Sequence, residues 1–432
     1  MNIVHQGADE LVYEIREIVE VGKRFEKLGK TIYWENIGDP IAKGHTIMPW
    51  IKNIIADTIK NDNSGFGYCP TKGLLETREY LAKIRCMENG AQITAEDILF
   101  FNGLGDAIAT TYTYLHRSAR VLGPSPAYST HSSAEAAHAG SSHLTYNLDP
   151  YKNWLPDIED IRNKVKYNPS IVGILIINPD NPTGMVYPKK ILEQIVDIAR
   201  EFDLFIISDE IYANIAYGSN KMTPLSQIIN DVPGMTMKGL SKEIPWPGAR
   251  CGWIEFYNKD RDPIFTRYTK TLVDAKMLEV CATTLPQKVL PLIYSDSRFT
   301  EHIRTMSKEF ATKANIAHNI FKDIPSIIAP KPDGAFYMSV VFKEGILNQK
   351  QKTPIKQKGI QKLIDEITDG VLPDKRFVYY LMASTGICVV PLSSMNSKIN
   401  GFRMTLLEPD LEKFTHITET LADTVRQYVN TC

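Results

Sequence analysis

The sequence predicts an α/β protein: a large domain with a mainly parallel seven-stranded sheet flanked by helices, followed by a smaller α+β domain. Three observations carry that expectation. Seven short apolar runs between residues 98 and 255 alternate, for the most part, with helix-patterned stretches, as crossover units of a parallel sheet do. A long helical pattern over 299–321 then breaks the alternation. At 432 residues the chain also exceeds the size at which one hydrophobic core stops growing.

In order along the chain, residues 11–28 place apolar side chains three and four apart, as an amphipathic helix requires. Residues 33–40 read as an extended entry into Asn36-Ile37-Gly38-Asp39-Pro40. A helix near 50–60, a glycine-rich turn at 64–68 and a helix near 74–89 lead to the first strand, 98–101. Gly103-Leu104-Gly105-Asp106 then opens another helix. The other six strands are expected at 119–122, 143–148, 172–177, 205–208, 234–238 and 252–255. Beyond the long helix, 331–343 reads as a turn and an alternating strand, with further strands at 387–391 and 401–407. The stretch 343–376, rich in Lys, Gln and Gly, reads as an exposed insertion with at most one short helix near 360–367. The expected division is an N-terminal arm and part of the small domain over 1–48, a large domain over 49–298 and a small domain over 299–432.

A hydrophobic fraction of 43% and a charged fraction of 23% suit a folded globular chain and argue against disorder. The formal net charge of -1 offers no electrostatic reason for a nucleic-acid or membrane partner, so a small molecule is the expected one. The cysteines, Cys69, Cys86, Cys251, Cys281, Cys388 and Cys432, form no CxxC pair and match no zinc spacing; reduced thiols and no metal are expected. The N-terminus is acidic and amphipathic rather than basic then apolar, and the longest apolar runs are too short to span a bilayer. A soluble, cytoplasmic chain is expected.

The residues that carry chemistry fall at the ends of the apolar runs. Lys242 follows Gly239-Leu240-Ser241 directly after a strand. An isolated lysine is ordinarily solvated surface. Here Ser241 can reach a phosphate, and Arg250, eight residues on in a glycine-flanked turn, suits a bidentate phosphate clamp. Asp209 follows the buried run 204–207, at the carboxyl edge where open α/β sheets bind ligands. Helix capping is its other use, and Tyr212, one turn later, favours the ligand.

Asn181 lies in Asn178-Pro179-Asp180-Asn181-Pro182-Thr183-Gly184, where two prolines fix the backbone after a strand. Gly103, Leu104 and Gly105 offer amides and a helix dipole to an anion, although a tight turn explains that motif equally well. Tyr128 can stack on a flat ring, whereas core packing is the common fate of an aromatic there. Arg403 stands inside an apolar strand, where an unpaired guanidinium is costly and a substrate carboxylate is the natural partner. A lysine amine, a carboxylate, a phenol and an arginine in this order suit one cofactor, pyridoxal phosphate, through its aldehyde, ring nitrogen, ring oxygen and phosphate.

Together these motifs resemble those of the class I/II aminotransferases, the fold type I pyridoxal-phosphate enzymes related to aspartate aminotransferase, over about residues 36–407. The resemblance implies pyridoxal 5′-phosphate as cofactor, amino acids and 2-oxo acids as substrates, and a homodimer with shared sites. It implies that Lys242 is the Schiff-base lysine, that Asp209 pairs with the ring nitrogen, and that Asn181 and Tyr212 donate to the ring oxygen. Tyr128 would stack on the ring, while Gly103, Leu104, Gly105, Ser241 and Arg250 would hold the phosphate. Tyr68 matches a tyrosine that reaches the phosphate of the neighbouring subunit. Gly38 and Arg403, with Asn181, match positions that meet the substrate.

The segment from Ser241-Lys242 to Pro247-Gly248-Ala249-Arg250-Cys251-Gly252 is similar to valine-pyruvate and alanine aminotransferases, and 278–284 holds no arginine for an acidic side chain. A small or branched neutral amino acid is the expected donor. Three departures stand out. The turn 243–247 is proline-rich, Gly239 replaces a second phosphate-binding serine, and Val390-Pro391-Leu392-Ser393 lacks the glycine usual after that proline. A lyase or decarboxylase on the same scaffold is the alternative, because fold and cofactor do not decide which bond at the α-carbon breaks. A ligand-sensing module is the more distant one, since no output element precedes the domain.

Overall fold

The structure is a computed structural model, and it describes residues 3–11, 14–218 and 221–431. Its strands are, in chain order, β1 (Tyr33–Trp34), β2 (Ile98–Phe101), β3 (Arg120–Ser125), β4 (Thr145–Asp149), β5 (Leu155–Pro156), β6 (Ile171–Ile177) and β7 (Phe205–Asp209). They continue with β8 (Gly234–Gly239), β9 (Gly252–Tyr257), β10 (Ile327–Ile328), β11 (Tyr337–Phe342), β12 (Ile387–Cys388), β13 (Val390–Pro391) and β14 (Gly401–Thr405).

The large sheet has eight strands in the order β2-β9-β8-β7-β6-β3-β4-β5. From β8 to β4 every pairing is parallel, whereas β9 runs antiparallel to both neighbours and β5 antiparallel to β4. Seven of these are the predicted strands; β5, two residues long, is too short to leave a pattern. Parallel strands are covered on both faces and so read as continuous apolar runs. β6, Ile-Val-Gly-Ile-Leu-Ile-Ile, is buried apart from a half-buried Val172. Alternate residues divide between two cores: Ile174, Ile176 and Ile206 face one, Leu175, Ile177 and Ile207 the other.

Helices Leu104–Thr113, Ser129–Ala139, Ile158–Tyr167 and Lys189–Glu201 lie between these strands. Capping residues set several helix starts. Asp157 accepts from the Asp160 amide, and Asp262, ahead of Pro263 in the helix Pro263–Met277, accepts from Ile264 and Phe265. The parallel pairing Ile177↔Asp209 and Asp209↔Met237 brings the carboxyl ends of β6, β7 and β8 to one edge.

From that sheet the helix Ser297–Phe321 leads to a four-stranded antiparallel sheet, β10-β11-β14-β13. The amino-terminal segment returns to this part of the molecule. β1 pairs in parallel with β12, and the Thr405 amide donates to the Glu35 carbonyl at 2.9 Å, so residues 35–38 run beside β14.

Two expectations are corrected. β11 does not alternate between core and solvent: all six residues are buried, and Ser339 turns its hydroxyl onto the Pro182 carbonyl at 2.9 Å instead of water. The stretch 343–376 holds the expected helix and is exposed over much of its length, but it is not surface throughout and does not stop at one helix. The helix Lys358–Ile367 buries Ile360, Leu363 and Ile364, and a second helix, Pro373–Thr385, begins inside the stretch with Asp374 and Arg376 buried. Its polar composition conceals internal bonding. The Arg376 guanidinium donates to the Thr368 carbonyl at 2.9 Å, and the Gln351 amide bridges the Ile346 carbonyl and the Asn348 amide. The first helix is described over Glu14–Lys27; Val12 and Tyr13 of its predicted span, and Cys432, lie outside the described residues. Among those described, no helix is long and apolar enough to cross a membrane.

Candidate active site

Where β8 ends at Gly239 the chain turns sharply, and Lys242 projects from that turn, half-buried. Its Nζ donates to the Gly38 carbonyl at 2.7 Å and lies 5.9 Å and 5.6 Å from the ring centres of Tyr212 and Phe336. One carbonyl and two aromatic rings hold the amine, and no carboxylate pairs with it among the described residues. Tyr212, 2% exposed, donates its hydroxyl to that of Tyr337 at 3.1 Å. Burial above all, with the neighbouring Tyr337 phenol adding to it, raises the Tyr212 hydroxyl well above the usual phenol value, so it stays a donor.

Asp209 closes β7 and is buried. One carboxylate oxygen meets His131 Nε2 at 3.1 Å and the other accepts from the Ile211 amide at 3.1 Å. His131, from the helix Ser129–Ala139, meets the Tyr112 hydroxyl at 3.3 Å through Nδ1. An imidazole between a carboxylate and a phenol carries its proton on the carboxylate side, so Nε2 donates to Asp209 and Nδ1 accepts from Tyr112. This relay holds the Asp209 carboxylate at the sheet edge.

A second carboxyl, Asp180, stands just past β6. One of its oxygens accepts from the Thr183 amide at 3.0 Å and hydroxyl at 2.5 Å, while Oδ1 is buried without a partner. Burial raises its carboxyl most, the Thr183 bonds oppose this, and the Asp209 charge adds to it, leaving Asp180 pushed up to about 7.

Arg403, in β14, is 3% exposed. It donates to Asn181 Oδ1 at 3.2 Å and to the Asn36 carbonyl at 2.6 Å, and its guanidinium lies 4.5 Å from the centre of the Tyr337 ring. Its Nε has no partner, and among the described residues it forms no ion pair. The Asn36 side-chain amide is likewise buried and unpaired. A buried guanidinium bonded only to neutral oxygens is poised for an anion.

The third corner of the site is a cradle of backbone. Gly103, at φ 85°, precedes the helix Leu104–Thr113, and a Cβ on it would lie 2.5 Å from the Arg250 guanidinium. A Cβ on Gly252 would lie 2.9 Å from the Leu104 amide nitrogen, whereas Gly105 faces open space. Arg250 itself is anchored by the carbonyls of Pro247 at 3.2 Å and Asn102 at 3.1 Å. Helix amides that lack a carbonyl one turn behind, beside a guanidinium and bare of side chains, fit a phosphate. Gly239 has no room for the serine common at that position, since its Cβ would lie 2.9 Å from the Cys251 carbonyl oxygen. With Asp209 for a ring nitrogen and Lys242 for an aldehyde, the residues present fit pyridoxal phosphate.

Of the residues singled out in the sequence, Lys242 reaches Gly38, and Arg403 reaches Asn181. Gly103 abuts Arg250. Tyr128 sits half-buried with its ring edge-on to His131, 6.4 Å between centres, and Ser241 adjoins Lys242 in the turn. Tyr68 does not join them within one chain, being 86% exposed. Residues 390–396, where the usual glycine is missing, tie to the Tyr128 segment: the Ala127 amide donates to the Met395 carbonyl at 2.9 Å and Ser125 to that of Asn396 at 2.7 Å. Sequence reasoning missed His131, Tyr112, Asn36, Phe336 and Tyr337. A histidine in a helix and two aromatics before a strand carry no local signal of a site.

A family model described as aminotransferase class I and II matches residues 36–420. An uncharacterised aminotransferase of Methanocaldococcus jannaschii is 55% identical over 99% of both chains. The glutamate-pyruvate aminotransferase AlaA of Escherichia coli is 31% identical over 76% of this chain and 80% of that protein. Among solved structures, an alanine aminotransferase from Pyrococcus furiosus superposes with a TM-score of 0.82 at 25% identity, covering 96% of this chain and 98% of that one.

Proposed function

The chain belongs to the class I and II aminotransferases, with fold type I architecture, and from that premise we propose that it moves an amino group between a small neutral amino acid and a 2-oxo acid by a ping-pong cycle. The cofactor is pyridoxal 5′-phosphate. When bound, it supplies an aldehyde that condenses with amines and a protonated ring that spreads the electron pair left at the substrate α-carbon.

The protein's own groups divide the remaining work. Lys242 Nζ would hold the aldehyde end of the cofactor and, once free, would be the base that takes the α-proton and returns it. Its unbranched stem and single carbonyl anchor at Gly38 support that role. Arg403, with Asn181 beside it, binds the α-carboxylate. Asp209, oriented by His131, would keep the ring nitrogen protonated; Asn181 and Tyr212, the latter turning its proton from Tyr337, would donate to the ring oxygen, and Tyr128 would stack on the ring. The open amides of Leu104 and Gly105, in the turn that Gly103 keeps bare of a side chain, would hold the phosphate with Ser241 and Arg250, and Tyr68 would reach the phosphate of the partner site in a homodimer. Within this reading, residues 49–298 form the large cofactor-binding domain, 299–432 the small domain, and 1–48 an N-terminal arm and part of the small domain.

One observation carries the reading: Lys242, Tyr212 and Arg403 are gathered beside the carboxyl edge of the large sheet through Gly38 and Tyr337. Support for a small neutral amino acid comes from the relatives named alanine aminotransferase and from the absence of a cation at Leu278, Val280 and Cys281; the glutamate-pyruvate relative adds glutamate as the amino acid on the other side of its exchange. Amino transfer from a panel of amino acids to pyruvate and 2-oxoglutarate tests it. Alanine or valine is expected to react well and aspartate poorly as donors; a preference for aspartate would overturn the specificity, and release of ammonia or carbon dioxide without transfer would overturn the reaction. Lys242→Ala is expected to lose about 10⁴-fold or more in kcat with its fold intact.

A further inference from the structure

Tyr337 touches three groups of the site and was not among the residues the motifs pointed to. Its hydroxyl accepts from Tyr212 at 3.1 Å. A Cβ on Gly38 would lie 2.1 Å from the same hydroxyl, so the absence of a side chain at Gly38 is what admits it. Its ring, 4.5 Å from the Arg403 guanidinium carbon, forms the floor under that side chain. Phe336 supports it from behind, 4.9 Å between ring centres, and β11 pairs with β14 so that Ser339 opposes Arg403. The side chain is 2% exposed and cannot swing away.

We infer that Tyr337 is a positioning residue that couples the two ends of the site, its ring setting the plane of the carboxylate-binding Arg403 and its hydroxyl fixing the Tyr212 oxygen, whose single proton it accepts here and to which it would donate once that proton is given to the cofactor's ring oxygen. The inference rests on the proposed roles of Arg403 and Tyr212. The two halves separate by chemistry. A guanidinium on an aromatic face is held by cation–π attraction and loses orientation when the ring is removed, whereas loss of the hydroxyl alone leaves that stack in place. A Tyr212 phenol without the Tyr337 hydroxyl beside it loses the partner that fixes its oxygen while its proton serves the ring oxygen.

The test uses the holoenzyme and two spectroscopic readouts besides activity: the pH midpoint of the bound cofactor's absorbance, and the affinity for propionate, a carboxylate without an amine. Tyr337→Phe is expected to move the midpoint by about half a pH unit or more and to lower kcat several-fold, with propionate affinity within about twofold of the parent. Tyr337→Leu is expected to weaken propionate about tenfold in addition. Tyr337→Met replaces it if the leucine variant does not fold. A phenylalanine variant with an unmoved midpoint, or a leucine or methionine variant that binds propionate like the parent, overturns the corresponding half. Arg403→Lys and Tyr212→Phe keep the premise separate. If those variants leave both readouts unchanged, the assigned roles fail; if they move them and the Tyr337 variants do not, only the coupling fails.

Discussion

Asp180 and Asp209 stand at the ends of adjacent strands, yet only Asp209 has a partner on each oxygen. The difference has a measurable consequence. The ordinary carboxyl value of Asp180 is 3.8 and its folded value about 7. Below 3.8 the group is neutral in both states. Between the two values the unfolded chain ionises while the folded protein does not, so stability falls as pH rises and the loss is complete above about 7. Asp180→Asn keeps an acceptor for both Thr183 donors and cannot ionise. At pH 8 it is expected to be more stable than the parent by about 1 kcal/mol or more, an advantage that shrinks toward pH 4. Parallel pH profiles of the denaturant midpoint would contradict this. At the same scale the sequence made Lys242, Asp209 and Arg403 legible, because each breaks an apolar context or follows one directly. It left His131 silent, since a lone histidine in a helix has no pattern to break.

The helix Leu104–Thr113 shows how an element becomes a binding device. Its first amides have no internal acceptors, and Gly103 adopts a φ of 85° that other residues rarely tolerate. A side chain there would occupy the space of the Arg250 guanidinium. Gly103→Ala is therefore expected to weaken cofactor binding about tenfold or more, read from absorbance titration of the apoprotein. Retained affinity would argue that the phosphate sits elsewhere. The strands were legible as elements because burial on both faces leaves continuous apolar runs. The stretch 343–376 was legible only in part: its helix and its exposed lysines were, whereas Gln351, Thr353 and Arg376, which bond to carbonyls inside the fold, were not, because composition alone cannot tell such groups from solvated ones.

At the scale of the whole molecule, Tyr68 is the proposed site residue that a single chain leaves stranded. Beside it Phe66 is 70% exposed and Leu278 82%. The two loops are tied together by Thr284 donating to the Gly67 carbonyl at 2.7 Å and by the Cys69 thiol donating to that of Ala282 at 3.4 Å. This exposed apolar edge, next to the cradle of Gly103 and Arg250, suits a second copy of the chain. Light scattering is expected to report twice the 48.8 kDa of one chain. If the sites are shared, mixing inactive Lys242→Ala with impaired Tyr68→Ala under exchange should restore about a quarter of parental activity, since half the dimers then carry one intact site. No recovery on demonstrated exchange would place Tyr68 outside the partner's site.

The sequence by itself determined the alternation of strand and helix, the class I and II aminotransferase family and its cofactor, because those signals are local: apolar periodicity within an element and reactive residues adjoining strand ends. Only the tertiary structure decided which side chains work together. His131 is 78 residues from Asp209, Tyr212 is 125 from Tyr337, and Arg403 is 222 from Asn181 and 367 from Asn36. Each of those contacts exists only once the sheet has ordered its strands and the amino-terminal segment has returned to β14. No pattern within either partner's own segment records it.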